Sequence, residues 1–244
     1  MKIIINGAGG RMGKALRGMI EKGCRDAVLA GMVDPFVKED GMLAALSDFN
    51  GEADCIIDFS NHAGVSELME YAVEKNIPVV VATTGHTEAE LAVIEAASKK
   101  IAVFHSGNMS LGIALLAQLA RETAKVFPDA DIEIVESHHN QKLDVPSGTA
   151  LMLARAVKEA RPEAEFLVGR HENGKRTKNE VGIHSLRMGN TVGIHEVIVN
   201  TGTQIITLKH EAQDRALFAE GALAAAEFIA DRAPGLYNMK DIVE

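Results

Sequence analysis

Cysteine is scarce: Cys24 and Cys55 are the only two in 244 residues. Two thiols cannot build a disulfide framework, and theirs is not a metal-site spacing, so both are expected to be buried, reduced thiols in a cytoplasmic protein. Long apolar runs are missing as well. No stretch approaches the roughly 18 residues a membrane span needs. The start, Met1-Lys-Ile-Ile-Ile-Asn-Gly7, reads as a strand entering a turn rather than as a signal peptide. Positive charge is in deficit: 25 Lys and Arg against 34 Asp and Glu leave a formal net charge of −9. That argues against nucleic acid as a partner, because phosphate binding needs clustered basic residues. It also means that local cations must draw in an anionic ligand, since the field of the whole chain opposes it. Repeats and low-complexity tracts are absent too.

What remains is an ordinary globular composition, 47% apolar and 24% charged, in a chain long enough for two domains. Up to about residue 110, strand-like runs (residues 2–6, 27–33, 55–59, 78–82 and 101–104) alternate with helical ones (12–20, 66–75 and 87–100). That rhythm implies a parallel sheet with right-handed crossovers. The pattern then changes. Residues 111–126 form one long apolar helix, and residues 131–136 alternate strictly, with Ile132 and Ile134 on one face and Asp131 and Glu133 on the other. A helix over 150–160 stops at Pro162. Three runs (182–188, 192–199 and 203–209) look like antiparallel strands joined by Gly/Asn turns. An alanine-rich helix over 216–229 can belong to either part. The fold class is therefore α/β: a parallel-sheet dinucleotide domain plus a smaller α+β domain.

Two segments carry the chemistry. In Gly7-Ala-Gly-Gly-Arg-Met-Gly13, glycines follow a strand and precede a helix, which brings backbone amides against a pyrophosphate at the helix start. The register is closer to GxxGxxG than to GxGxxG. Asp34 ends the next strand, where a ribose-binding carboxylate belongs. It repels a 2′-phosphate, and Pro35 follows it rather than an arginine. NADH is therefore the preferred cofactor, with Lys38 leaving NADPH usable.

The second segment is Glu136-Ser-His-His-Asn-Gln-Lys-Leu-Asp-Val-Pro-Ser-Gly-Thr149. It holds a proton donor, a cation and an anion-ready helix start within reach of each other. Because strand side chains alternate, His138 and His139 face one ligand only if the strand ends or bends near Ser137; Asn140, Asp144 and Pro146 support a loop there. Lys142 then folds back towards His138. Ser147 is a plausible N-cap, and the Gly148 and Thr149 amides suit a carboxylate. A zinc reading with Glu136 or Asp144 is the alternative, but adjacent histidines make awkward ligands and Lys142 would repel the ion; no metal site is expected. The basic residues Arg170, His171, Lys175, Arg176 and Lys178 either attract a dianion or form a solvated loop.

These segments, with Ala82-Thr-Thr-Gly85 and Ser106-Gly-Asn-Met-Ser110, resemble the dihydrodipicolinate (4-hydroxy-tetrahydrodipicolinate) reductase family of diaminopimelate and lysine biosynthesis. The likeness spans essentially the whole chain. It implies a Rossmann-like dinucleotide domain (1–108 plus 216–244) and a substrate and oligomerisation domain with a mixed sheet (109–215), usually in a homotetramer. Gly7, Ala8, Gly9, Gly10, Arg11 and Met12 would hold the pyrophosphate and Asp34 the adenosine ribose. Ala82, Thr83 and Thr84, with Ser106, Gly107, Asn108 and Met109, would line the nicotinamide side. His138 matches the proton donor and Lys142 its partner. His139, Lys142, Ser147, Gly148 and Thr149 match the substrate site, for a small cyclic imine carrying two carboxylates. The chain departs from the pattern at Pro35, where many members carry arginine, and at Ile194 and Thr203, where glutamate is expected. Another two-domain amino-acid dehydrogenase or a non-catalytic NAD(H) sensor would share the glycine loop but has no use for the His-His-x-x-Lys segment.

Overall fold

The computed structural model describes all 244 residues, which divide into two compact units: Met1–Ser110 with Ala216–Ile242, and Leu111–Arg215 with Val243–Glu244. In chain order the first elements are β1 (Lys2–Asn6), α1 (Arg11–Glu21), β2 (Val28–Val33), β3 (Met42–Leu43), β4 (Cys55–Asp58), α2 (Val65–Lys75), β5 (Val79–Val81), α3 (Glu88–Ser98) and β6 (Ala102–His105). There follow α4 (Leu111–Val126), β7 (Asp131–His138), α5 (Gly148–Ala160), β8 (Glu165–Val168), β9 (Glu180–Arg187), β10 (Gly193–Asn200), β11 (Ile205–Ala212), α6 (Ala216–Ile229), β12 (Gly235–Tyr237) and α7 (Lys240–Val243).

The first unit is a seven-stranded sheet in the order β12-β6-β5-β4-β1-β2-β3, parallel at every pairing. Its central strands are short runs of Ile and Val buried on both faces, as a sheet covered by helices on each side requires. Helix starts are set locally. Thr87 caps α3 by accepting from the Glu90 amide at 3.3 Å, while Glu90 accepts from the Thr87 amide at 2.6 Å. Strand order reverses between β1 and β4, so the crevice for a ligand lies at the C-terminal ends of those two strands. Helix α6 belongs to this unit. Its small residues let it lie close: a Cβ on Gly221 would come within 1.6 Å of the Met109 carbonyl oxygen. Cys55 is buried, as expected, but Cys24 is only partly buried in the turn after α1. No helix is long and apolar enough to cross a membrane.

The second unit is a five-stranded mixed sheet, β11-β10-β7-β9-β8. Helices α4 and α5 cover one face, where Ile132, Ile134, Val181, Ile183, Val197 and Val199 pack against Ile113, Leu116, Leu153 and Val157. Two expectations need correction here. Strand β9 runs opposite to β10, as expected, but does not pair with it; it pairs in parallel with β7 and β8, and β7 lies between β9 and β10. The Gly189 turn therefore carries the chain across β7 rather than closing a hairpin. Only β10 and β11 form the expected antiparallel pair. Strand β7 also continues through His138, two residues beyond its expected end.

Candidate active site

The continuation of β7 decides the site. Residues 132, 134, 136 and 138 share one face, and the face that is apolar at Ile132 and Ile134 turns polar at Glu136 and His138, all four of them buried. Register brings matching groups from the neighbours: His195 of β10 pairs with Glu136, and Arg187 of β9 pairs with His138. The apolar core thus grades into a buried polar cluster at one end of the sheet.

Glu136 is its centre. Arg187 donates to both carboxylate oxygens, Nη2 to Oε1 at 2.8 Å and Nη1 to Oε2 at 2.9 Å. The Ser147 amide donates to Oε1 at 3.2 Å, and His138 Nδ1 lies 2.5 Å from Oε2. Burial opposes ionisation of Glu136, but Arg187 and His138 outweigh it and bring its pKa to about 2. An ionised carboxylate has no proton to give, so Nδ1 of His138 carries the hydrogen and Nε2 is left for other partners. Nε2 faces β10 at a glycine: a Cβ on Gly193 would lie 3.1 Å from it. Burial, together with Lys142 and Arg187, pulls the His138 pKa below its ordinary value despite Glu136. His195 packs edge to face on His138, with ring centroids 5.1 Å apart, and its Nε2 lies 3.2 Å from Ser147 Oγ. Burial first, then His138, takes its pKa down to about 4.

The loop after β7 supplies the cation. His139 is the first residue past the strand, so it leaves the face that holds His138. Lys142 Nζ pairs with Asp144 Oδ1 at 2.8 Å. Arg187 holds the same loop, donating to the Asp144 carbonyl at 2.7 Å. The loop ends at Ser147, whose hydroxyl accepts from the Ala150 amide at 3.2 Å and caps α5. Gly148 and Thr149 form the first turn of that helix. Gly148 is exposed, with no atom within 4 Å of where a Cβ would stand.

In the first unit, the residues expected to hold a dinucleotide all stand at the C-terminal edge of the parallel sheet. Gly7 to Gly10 turn from β1 into α1, with Gly7 at φ +81°. Each glycine has a steric reason: a Cβ on Gly9 would meet Val37 at 2.5 Å, and one on Gly13 would meet the Gly7 carbonyl oxygen at 2.3 Å. Helix α1 begins with no side-chain cap and no acidic residue in its first turn, Arg11 and Met12 included, so its start suits an anion. Asp34 links two loops, accepting from the Gly9 amide at 3.1 Å and the Phe36 amide at 3.0 Å. Ala82, Thr83 and Thr84 follow β5, and Ser106 to Met109 follow β6. Ser106 Oγ donates to the Asn108 carbonyl at 2.8 Å, and Asn108 Oδ1 accepts from the Ser110 amide at 2.8 Å. Asp58, which the sequence did not single out, ties this edge together. It accepts from Asn6 at 2.8 Å and from the Ser60 hydroxyl at 2.5 Å. Burial raises its pKa in spite of those bonds.

The basic cluster is mostly spent on ion pairs. Arg176 bridges Asp131, Glu133 and the Ile132 carbonyl, Arg170 pairs with Glu180, and Lys178 with Asp129. It straps β7 to β9. Arg187 is the opposite case: nothing local marked it, because its partner lies 51 residues away.

Residues 1–109 match the family model described as "Dihydrodipicolinate reductase, N-terminus" and residues 112–243 the one described as "Dihydrodipicolinate reductase, C-terminus". The chain belongs to the dihydrodipicolinate reductase family. It is an NAD(P)H-dependent oxidoreductase with a Rossmann-type cofactor domain. The 4-hydroxy-tetrahydrodipicolinate reductase of Caldanaerobacter subterraneus subsp. tengcongensis is 44% identical over 247 residues, covering 100% of this chain and 98% of the relative. That of Brachyspira hyodysenteriae is 38% identical and covers 100% of both chains. Among solved structures, the dipicolinate-bound dihydrodipicolinate reductase from Paenisporosarcina sp. TG-14 superposes with a TM-score of 0.81 at 24% identity, over 99% of each chain. A myo-inositol dehydrogenase from Corynebacterium glutamicum shares the fold more distantly, with a TM-score of 0.63 at 17% identity, over 100% of this chain and 92% of the other.

Proposed function

We propose that the chain is a 4-hydroxy-tetrahydrodipicolinate reductase, converting 4-hydroxy-2,3,4,5-tetrahydrodipicolinate and NAD(P)H to tetrahydrodipicolinate and water in diaminopimelate and lysine biosynthesis. The observation that carries this is the polar end of the second sheet. A buried imidazole held by a carboxylate stands beside a lysine loop and a helix start, in a chain that matches the reductase family end to end. A dianion fits there: Lys142 and the Gly148–Thr149 turn receive carboxylates, with His139 at the rim. His138 presents Nε2 as the atom that delivers a proton to the reduced product. Lys142 and the helix start also steady the negative charge that develops on the substrate.

The bound nicotinamide supplies the hydride. Gly7, Ala8, Gly9, Gly10, Arg11 and Met12 hold the pyrophosphate at the uncapped start of α1, and Asp34 holds the adenosine ribose. Ala82, Thr83, Thr84, Ser106, Gly107, Asn108 and Met109 position the nicotinamide side. NADH is preferred: Asp34 disfavours a 2′-phosphate, and the guanidinium of Arg17 is already paired with Glu39 at 2.5 Å. The working form is a cytoplasmic homotetramer, as is usual in the family.

The test generates the substrate in the cuvette with dihydrodipicolinate synthase and follows NADH oxidation. Oxidation should require the synthase; aspartate semialdehyde alone should give none. Oxidation with the semialdehyde alone would mark another amino-acid dehydrogenase, and no oxidation under either condition would mark a nucleotide sensor.

A further inference from the structure

We propose that Glu136 and Arg187 act together as positioning residues for His138: Glu136 fixes which ring nitrogen delivers the proton, and Arg187 cancels the charge that would otherwise lock that proton in place. The inference rests on the reading of His138 as proton donor. It starts from a conflict of demands. A histidine that donates a proton must be oriented, and the strongest orienting partner in a buried site is a carboxylate. A lone carboxylate beside an imidazole also stabilises the imidazolium and makes it a poor acid.

The second unit meets both demands with one extra residue. Glu136 is fully buried, and its Oε2 lies 2.5 Å from His138 Nδ1. Both oxygens of the same carboxylate are covered by the guanidinium of Arg187, at 2.8 and 2.9 Å. The planar fork matches the carboxylate and leaves the His138 bond intact. The Glu136–Arg187 pair is then neutral as a whole, so it orients the ring with little net field upon it. The other groups facing His138 add to this. His195 of β10 lies edge-on and neutral near pH 7, with His210 opposite it on β11. Lys142 in the loop is positive, and its own partner Asp144 screens it. The balance favours a neutral ring in the empty site. Binding of a dianion then adds negative charge on the Nε2 side and recruits the proton where it is needed.

Arg187 reaches this place through register alone. Strand β9 runs parallel to β7 and aligns Arg187 with His138. Arg187 also donates to the Asp144 carbonyl at 2.7 Å, so one side chain sets both the carboxylate and the loop that carries Lys142.

The experiment is a nitrogen-15 NMR titration of the His138 ring in the full-length, substrate-free protein, for the parent, Glu136→Gln and Arg187→Met, with the pH profile of kcat/KM for each. In the parent, the neutral ring should carry its hydrogen on Nδ1. In Glu136→Gln, the amide should present a donor to Nδ1, move the hydrogen to Nε2 and lower the His138 pKa by about one unit. In Arg187→Met, the hydrogen should stay on Nδ1 and the pKa should rise by about one unit, with the basic limb of the profile following it. A purely structural role would not produce shifts of opposite sign. An unchanged tautomer and pKa in a folded Glu136→Gln protein would overturn the proposal. If that variant fails to fold, an unmoved or lowered pKa in Arg187→Met overturns it alone. A failure of the proton-donor reading looks different: His138→Gln would turn over normally whatever the titrations show.

Discussion

The two sheets hold their functional groups in opposite ways. In the parallel sheet, the groups proposed to meet a dinucleotide lie in the loops beyond the strand ends and consist largely of backbone: a glycine turn, an uncapped helix start and a carboxylate that braces two loops. In the mixed sheet the central groups, Glu136, His138 and His195, are side chains on the strands themselves, buried on the face of the hydrophobic core, while Lys142 and the Gly148–Thr149 turn follow in the loop and helix start. The first arrangement is generic, since a phosphate asks mainly for amides and space. The second is specific, since the protonation states of Glu136, His138 and His195 depend on one another through burial. Substitutions in the second unit should therefore change chemistry, and substitutions in the first should change which cofactor is used and how well.

The largest effect expected is that of His138→Gln. It should lower kcat by about 10²–10⁴-fold, with KM moving less, in steady-state assays with in situ substrate. A comparable loss from a substitution in the loop after β1 would erase the contrast. Next is the acid stability of the mixed sheet. The folded pKa of His195 is about 4, below the 6.5 of an unstrained imidazole. The native state therefore binds fewer protons between those values. Its stabilising contribution is full above about pH 6.5 and falls away as the pH drops towards 4, by about 3 kcal/mol. Denaturant titrations across that range should show the loss in the parent and a flatter curve in His195→Asn. Glu136, with a folded pKa of about 2 against 4.5, adds a further loss below pH 4.5. Lys142→Ala should raise KM and lower kcat together, reducing kcat/KM by about 10- to 100-fold, the worth of one charged hydrogen bond. Smallest is the cofactor choice: kcat/KM should favour NADH over NADPH by about tenfold, a difference worth about 1.4 kcal/mol. A tenfold advantage for NADPH would contradict the part given to Asp34.

The same contrast explains what could be read from the sequence. The alternation of short apolar strands with helices disclosed the parallel sheet, because each βα unit is a local pattern. The glycine loop and Asp34 were visible for the same reason: the turn, the helix start and the end of the next strand follow one another closely. In the mixed sheet, the segment from Glu136 to Thr149 was legible as a string of chemical types. Its geometry was not. Whether β7 stops at Glu136 or runs on to His138 depends on the neighbouring strands that pair with it, and Arg187 becomes a partner of Glu136 only once β9 is known to be parallel. Alternation along residues 182–188 does not show which strand lies beside them, and the Gly189-Asn190 turn suits a hairpin as well as a crossing over β7. The role of the basic residues 170–178 stayed open because the acidic partners of Arg176 and Lys178, Asp131 and Glu133 on β7 and Asp129 just before it, lie about 45 residues earlier in the chain.

The most direct measurement is a chemical-shift titration of the isotope-labelled protein with pyridine-2,6-dicarboxylate, a planar dianion resembling the substrate. Saturable shifts should centre on His138, His139, Lys142, Gly148 and Thr149, with His138 gaining a proton as the ligand binds. Saturable binding that leaves those residues unmoved, with shifts confined to the basic stretch from Arg170 to Lys178 or to the first unit, would contradict the account.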